Sequence, residues 1–178
     1  MLANLPKLEP RIRELVRGLV AGLKEGRSLD FSEEVAGPLP TIVIAEMLGA
    51  STEDWPLFRI WTAAVIGFLD PGEAMTATQV HGEIHAYPTD LIEDRKRVPR
   101  DDLISALVGA EIEGQKLSEG ELYSFCWLLL VAGYAAVRNH AALGIWALLR
   151  PPEQRRLLVE QPDLVPSASK RCCAGAES

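Results

Sequence analysis

The segment WLLLVAGYAAVRNHAALGIWALL, Trp127 to Leu149, limits the fold of this chain more than any other. It is long enough to cross a bilayer, but Arg138, Asn139 and His140 lie at its middle. Charge is costliest there, about 2.5–3.5 kcal/mol for an arginine on insertion scales. Gly133 and several alanines dilute the hydrophobicity further. The segment therefore reads as a buried helix of a soluble body, with no membrane partner. Ser118 and Glu121 have the spacing of a capping box, so the helix starts there. From Ser118 it runs about 32 residues, roughly 48 Å. It is apolar on all sides for several turns, so it is expected to be central and covered on every side. Leu128, Val131, Ala132, Ala135 and Ala136 share one broad side, nearly flat around Gly133. A flat face of small residues packs closely on another helix or admits a bulky ligand. Composition alone favours packing.

The rest of the chain has the same all-α character. Leu8, Ile12, Leu15, Val16, Leu19, Val20 and Leu23 recur at helical spacing, and Gly26 stops that helix. Ser28 to Pro40 reads as a connector. Pro40 opens a second helix closed by Gly49. Ser51, with Asp54 three residues on, caps a third that carries Phe58, Trp61, Val65 and Phe68. A fourth spans about Ala74 to Arg97, with Val80, Ile84, Tyr87, Leu91 and Ile92 inward. Pro88 in its interior predicts a kink or a break. Arg95-Lys96-Arg97 reads as a solvated helix end. Asp101 or Asp102 caps a fifth helix, a turn or small hairpin follows at Glu111 to Ser118, and Pro151-Pro152 opens a last helix.

The 178 residues suit one globular domain or a large piece of a bigger one. A net charge of -7 excludes a polyanion such as nucleic acid as partner. Met1 to Pro10 carries no secretory core, which points to the cytoplasm. Cys126 sits in an apolar run as a small buried hydrophobe. Trp55, Trp61, Trp127 and Trp146 read as core filling.

Several stretches carry a resemblance. LPTIVIAEMLG with EDWPLFRIW, HAYPTDLIEDRK with PRDDLISALVGAEIEGQKLSEGEL, and LLLVAGYAAVRNHAALGIWALLRPPEQRRLL stand in this order. The chain resembles the bacterial cytochrome P-450 family, the heme-thiolate monooxygenases, over Leu5 to Ala168. The resemblance covers that family's helices D to J. It implies an all-α fragment around a long central helix, helix I, which crosses one face of a heme b. Ala132 and Gly133 match the small-residue step over the heme. Ala136 adjoins the same cofactor surface, and Leu128 and Val131 match positions facing a small apolar substrate. The intact enzyme takes electrons from a ferredoxin or reductase.

The departures are as informative. Where the family carries an acid and then a threonine for proton relay, this chain has Ala135 and Ala136. Neither can hold a proton. Pro88 stands where the family commonly has leucine. The family's iron-ligating Cys loop and the Glu-x-x-Arg pair of its helix K are absent. The chain alone is therefore expected to retain no heme and to be inactive, and to self-associate through exposed apolar surface.

Residues 1–168 form the family-like region, and 169–178 a tail that fits neither the family nor a helix. Codons chosen for Ser169 to Gly175 and read one base upstream spell Val-Glu-Glu-Val-Leu-Arg-Trp. The expectation is a frameshift near Ala168 or Ser169 that leaves Cys172 and Cys173 without chemistry. Two other readings stand beside this one. The first is a heme-free helical binding or assembly module. The second is a zinc hydrolase on His81 and His85. There Glu83 falls two residues after His81, on another face, and no third ligand is evident.

Overall fold

Most of the described helices pack along α6, Glu119–Leu149, an unbroken helix of 31 residues. Its start is fixed reciprocally. The Ser118 backbone N–H donates to Glu121 Oε2 at 2.8 Å, and the Glu121 N–H donates to Ser118 Oγ at 3.3 Å. This is the capping box expected from the spacing.

The computed structural model describes residues 5–23, 26–65, 77–149 and 152–173. In order, they form α1 (Leu5–Ala21), a π-helical turn (Ser32–Ala36), α2 (Pro38–Leu48), a 3-10 turn (Thr52–Asp54), α3 (Trp55–Val65), α4 (Ala77–Arg97) and α5 (Leu103–Gly109). A hairpin of β1 (Glu111–Ile112) and β2 (Gln115–Lys116) precedes α6, and α7 (Pro152–Glu160) and α8 (Val165–Cys173) follow it. Glu111 pairs with Lys116 and Ile112 with Gln115, antiparallel.

α2 begins with Pro38 and Pro40 in its first turn, where backbone N–H groups lack helical acceptors and proline loses nothing. Gly49 ends it at φ 74°, the left-handed conformation that suits glycine. Asp102 caps α5 by accepting from the Ser105 N–H at 2.8 Å.

One core binds α2 through α6. Ile44, Ala45 and Leu48 of α2 meet Phe58 and Trp61 of α3, Val80, Ile84 and Ile92 of α4, Ile104 of α5, and Leu122, Cys126 and Leu130 of α6. Phe58, Trp61 and Tyr87 form a ring cluster with centroids 5.3–5.5 Å apart, mostly edge-to-face, the preferred aromatic geometry. α1 joins this body through Arg11, whose Nε donates to Glu46 Oε1 at 2.9 Å. α7 and α8 pack on α6.

Several expectations need correction. α6 is not covered on every side: Leu122, Cys126, Leu130 and Tyr134 are buried, while Leu128, Val137, Leu143, Trp146 and Leu149 are exposed. An all-round apolar helix shows what could be buried. Its neighbours among the described residues leave Leu128, Val137, Leu143, Trp146 and Leu149 exposed.

The connector holds a π-helical turn. The Asp30 carboxylate accepts from the Ser32 and Glu33 N–H groups and so opens it. Pro88 does not break α4, which is continuous from Ala77 to Arg97. Pro88 is buried there, and the next residue, Thr89, donates its hydroxyl to the His85 carbonyl at 2.8 Å.

The run Arg95-Lys96-Arg97 is not a solvated end throughout. Arg95 is 1% exposed, its Nη2 donates to the Gly49 carbonyl at 2.6 Å, and its Nε and Nη1 donate to Asp102 and Asp94. The tail is helical through Cys173, because Ser169 to Cys173 continue α8 without a breaker. Phe68 and the start of the fourth helix near Ala74 lie outside the described residues.

Candidate functional site

α6 has two different faces at a four-residue period. Leu122, Cys126, Leu130 and Tyr134 point into the core. Leu128, Ala132 and Ala136 also recur every fourth residue and form an exposed strip, Leu128 at 63%. Asn139, Leu143 and Trp146 continue it. Val131 and Ala135 are half-buried along one edge. The structure thus brings Leu128, Ala132 and Ala136 onto one surface, with Val131 and Ala135 beside them.

Gly133 lies apart from the strip. A Cβ there would sit 2.7 Å from Ile44 Cδ1 of α2. One residue of helix turns the side-chain direction by about 100°. Adjacent small residues on α6 therefore have different duties: Gly133 permits close approach of α2, and Ala132 leaves an open, shallow surface.

At the edge of the strip a cleft of about 280 Å³ is lined by Glu33, Arg59, Ala63, Tyr134, Ala135, Arg138 and Asn139. Glu33 comes from the π-helical turn. Its Oε1 accepts from Arg138 Nη2 at 2.8 Å, and its Oε2 lies 3.5 Å from Arg59 Nη1. This answers how a mid-helix arginine is held: it has an acid from another element. Sequence reading missed Glu33 and Arg59. The one available signal was Arg138, whose position in an apolar helix called for a partner. Ala135 opens on this cleft and Ala136 on the strip, each with only a methyl group.

The strip suits one face of a planar apolar group such as a heme, since methyl groups allow close approach. An axial ligand is a different matter. Cys126 is 1% exposed and belongs to the core, and burial pushes its thiol up to about 11, against the thiolate that ligation needs. The side chains of Cys172 and Cys173 lie outside the described residues. No cluster of three or more His, Cys, Asp and Glu side chains occurs among the described residues. Among the described residues, then, the strip offers a flat surface to one face of a heme, and Cys126, buried in the core, is not placed to supply the thiolate.

For the zinc reading, His85 stacks on Tyr123 with ring centroids 4.6 Å apart, and Glu83 accepts the Trp61 indole N–H at 3.2 Å. The His81 side chain lies outside the described residues. By length and composition α6 is also one helix able to span a membrane among the described residues. Its core-facing side packs on α2, α3 and α4, and Arg138 is ion-paired within it.

Solved structures define the class of this arrangement. Ligand-free cytochrome P-450 TbtJ1 superposes with a TM-score of 0.84 and 33% identity, over 97% of this chain and 46% of that one. CYP109Q5 from Chondromyces apiculatus gives 0.84 and 34%, over 97% and 42%. The fold is thus the helical part of a cytochrome P-450.

Sequence comparison agrees. The vitamin D(3) 25-hydroxylase of Pseudonocardia autotrophica is 39% identical over 166 residues, 93% of this chain and 40% of that protein. CYP107DY1 of Priestia megaterium is 37% identical over 165 residues, 92% and 40%. No family model matches the chain. The chain belongs to the bacterial cytochrome P-450 family, and it spans about 40% of the length of the curated relatives it matches.

Proposed function

We propose that this chain forms the wall of a heme-thiolate monooxygenase on the side of the heme away from the thiolate. In this reading Ala132 and Ala136 lie over the porphyrin, Gly133 sets the distance between α2 and α6, and Leu128 and Val131 face a small apolar substrate. The single observation that carries it is the bare apolar strip on a helix whose opposite side is packed into a core. Heme, when bound, supplies the oxygen-activating chemistry. This chain's residues shape the space, exclude water with Leu128 and Val131, and leave proton delivery to water or substrate, because Ala135 and Ala136 hold none. Electrons come from a ferredoxin or reductase, and the setting is cytoplasmic. Relatives named for hydroxylation of vitamin D(3) and of methyl-branched lipids favour an apolar substrate. Without an axial ligand the chain by itself turns over nothing.

A graft tests this. The matched 166 residues of the vitamin D(3) 25-hydroxylase are replaced by their counterparts here, and heme uptake is measured. The expected product folds and takes up heme in one-to-one ratio. Restoring a relay with Ala135→Asp and Ala136→Thr raises product formed per electron consumed. A graft that is folded by circular dichroism yet takes up no heme contradicts the proposal.

A further inference from the structure

We propose that the cleft between the C-terminal half of α4 and the first turns of α6 binds a small arylalkylammonium, a primary amine a short methylene chain away from an aromatic ring. The cleft has a volume of about 230 Å³. That is below the roughly 300–1,000 Å³ of pockets for drug-sized molecules, so its ligand is small. On α6 it is lined by Glu119, Gly120 and Tyr123, before the apolar strip begins at Leu128.

The lining combines rings and charge. His85 of α4 stacks on Tyr123 of α6, with centroids 4.6 Å apart and planes tilted by 31°. Lys96 of α4 donates to Glu119 of α6 and stands 3.7 Å from Glu93 Oε1. At that distance Glu93 receives no hydrogen bond from Lys96. Two carboxylates therefore share one ammonium. A second ammonium balances them, with protons for Glu93 and for the Glu119 oxygen that Lys96 does not use. Buried Ile92 gives the cleft an apolar wall. An aromatic ring on the ligand packs against that wall and the His85–Tyr123 pair, a contact that a bare alkylamine cannot make. An acid of the same shape meets two like charges.

Room for the ligand comes from Gly120, where an added Cβ would meet nothing within 4 Å. A larger side chain there enters open space rather than the core, and it improves helix propensity. The site needs no heme and shares no residue with the strip, so its failure would leave the oxygenase reading untouched.

The full chain is titrated with phenethylamine hydrochloride at constant ionic strength near pH 8, where imidazoles are mostly neutral and alkylamines charged, and its melting temperature is followed. Ethylamine hydrochloride supplies the charge alone, phenethyl alcohol the ring alone, and sodium hydrocinnamate the ring with the opposite charge. Phenethylamine is expected to raise Tm saturably, with half-effect at millimolar concentration, and none of the other three to match it. An equal shift from any of them overturns the proposal.

Glu93→Gln is expected to weaken the phenethylamine effect several-fold, and Gly120→Leu, which fills the cleft, at least tenfold. An undiminished response in Gly120→Leu overturns the proposal, because the amine would then sit elsewhere, as on the exposed strip of α6. If that variant does not fold, an undiminished response in Glu93→Gln overturns it equally.

Discussion

Arg95 shows how much one residue can decide. It is a buried cation that ties α4 to the end of α2 and the start of α5, through the Gly49 carbonyl and Asp102. Burial works against the Asp102 charge, but hydrogen bonds from Arg95 and Ser105 outweigh it and hold the carboxyl below its usual range. A folded pKa below the unfolded one means stability that is present above the ordinary carboxylate range and is lost as pH falls through the folded value. Asp102→Asn should therefore cost about 3 kcal/mol in urea unfolding at pH 7, the scale for breaking a buried pair. The gap to wild type should narrow once pH drops below about 4, where the unfolded carboxyl protonates. A gap that stays constant down to pH 3 would show that Asp102 acts without its charge.

Two glycines make a related contrast. Gly49 has φ 74°, and a Cβ there would collide with the Asp102 carboxylate. Gly49→Ala should destabilise by more than about 2 kcal/mol, since backbone strain and the collision add. Gly133→Ala meets only the flexible end of Ile44. It also gains up to about 1 kcal/mol of helix propensity, so its net loss should be about 1 kcal/mol. Pairing it with Ile44→Val should cost less than the two singles summed, as measured in a double-mutant cycle.

Among the elements, ends were easier to read than coverings. Ser118 with Glu121, Asp102 and Gly49 announce helix boundaries through local chemistry, and all three lie where their side chains or backbone angles require. Ser118→Ala should accordingly lower stability by about 1 kcal/mol, the usual value of an N-cap. An unchanged melting temperature would mean that α6 is held by packing alone.

Long-range partners were not legible. Glu33 sits 105 residues before Arg138 in the chain, inside a segment that looks like a connector. Arg95 looked like part of a solvated run because nothing local marks it for burial. At Pro88 a kink or a break was expected because a sequence shows the missing N–H and not the surrounding packing; the helix is not broken there. The apolar strip itself was legible from the spacing of Leu128, Ala132 and Ala136, but Gly133 seemed to share it. Only the position of Ile44 separates them.

For the whole molecule, the consequence of a one-sided α6 is exposed apolar surface. Leu128, Leu143, Trp146 and Leu149 of α6 are exposed, as are Val159 of α7 and Val165 of α8. Exposed apolar surface of this amount favours association. Sedimentation velocity on the purified chain should show mass rising with concentration, and Leu143→Asp with Leu149→Asp should shift the distribution toward monomer. A monodisperse monomer that melts cooperatively would instead favour a self-sufficient helical module.

The family reading rests on the strip being one wall of a heme site whose iron ligand lies elsewhere. The most direct measurement is the reduced, carbon-monoxide-treated absorption spectrum of the chain supplied with hemin, recorded beside that of the graft. The account predicts a thiolate-type band from the graft and none from the chain alone. A thiolate-type band from the isolated chain, or its absence from a graft that has folded and taken up heme, would contradict it.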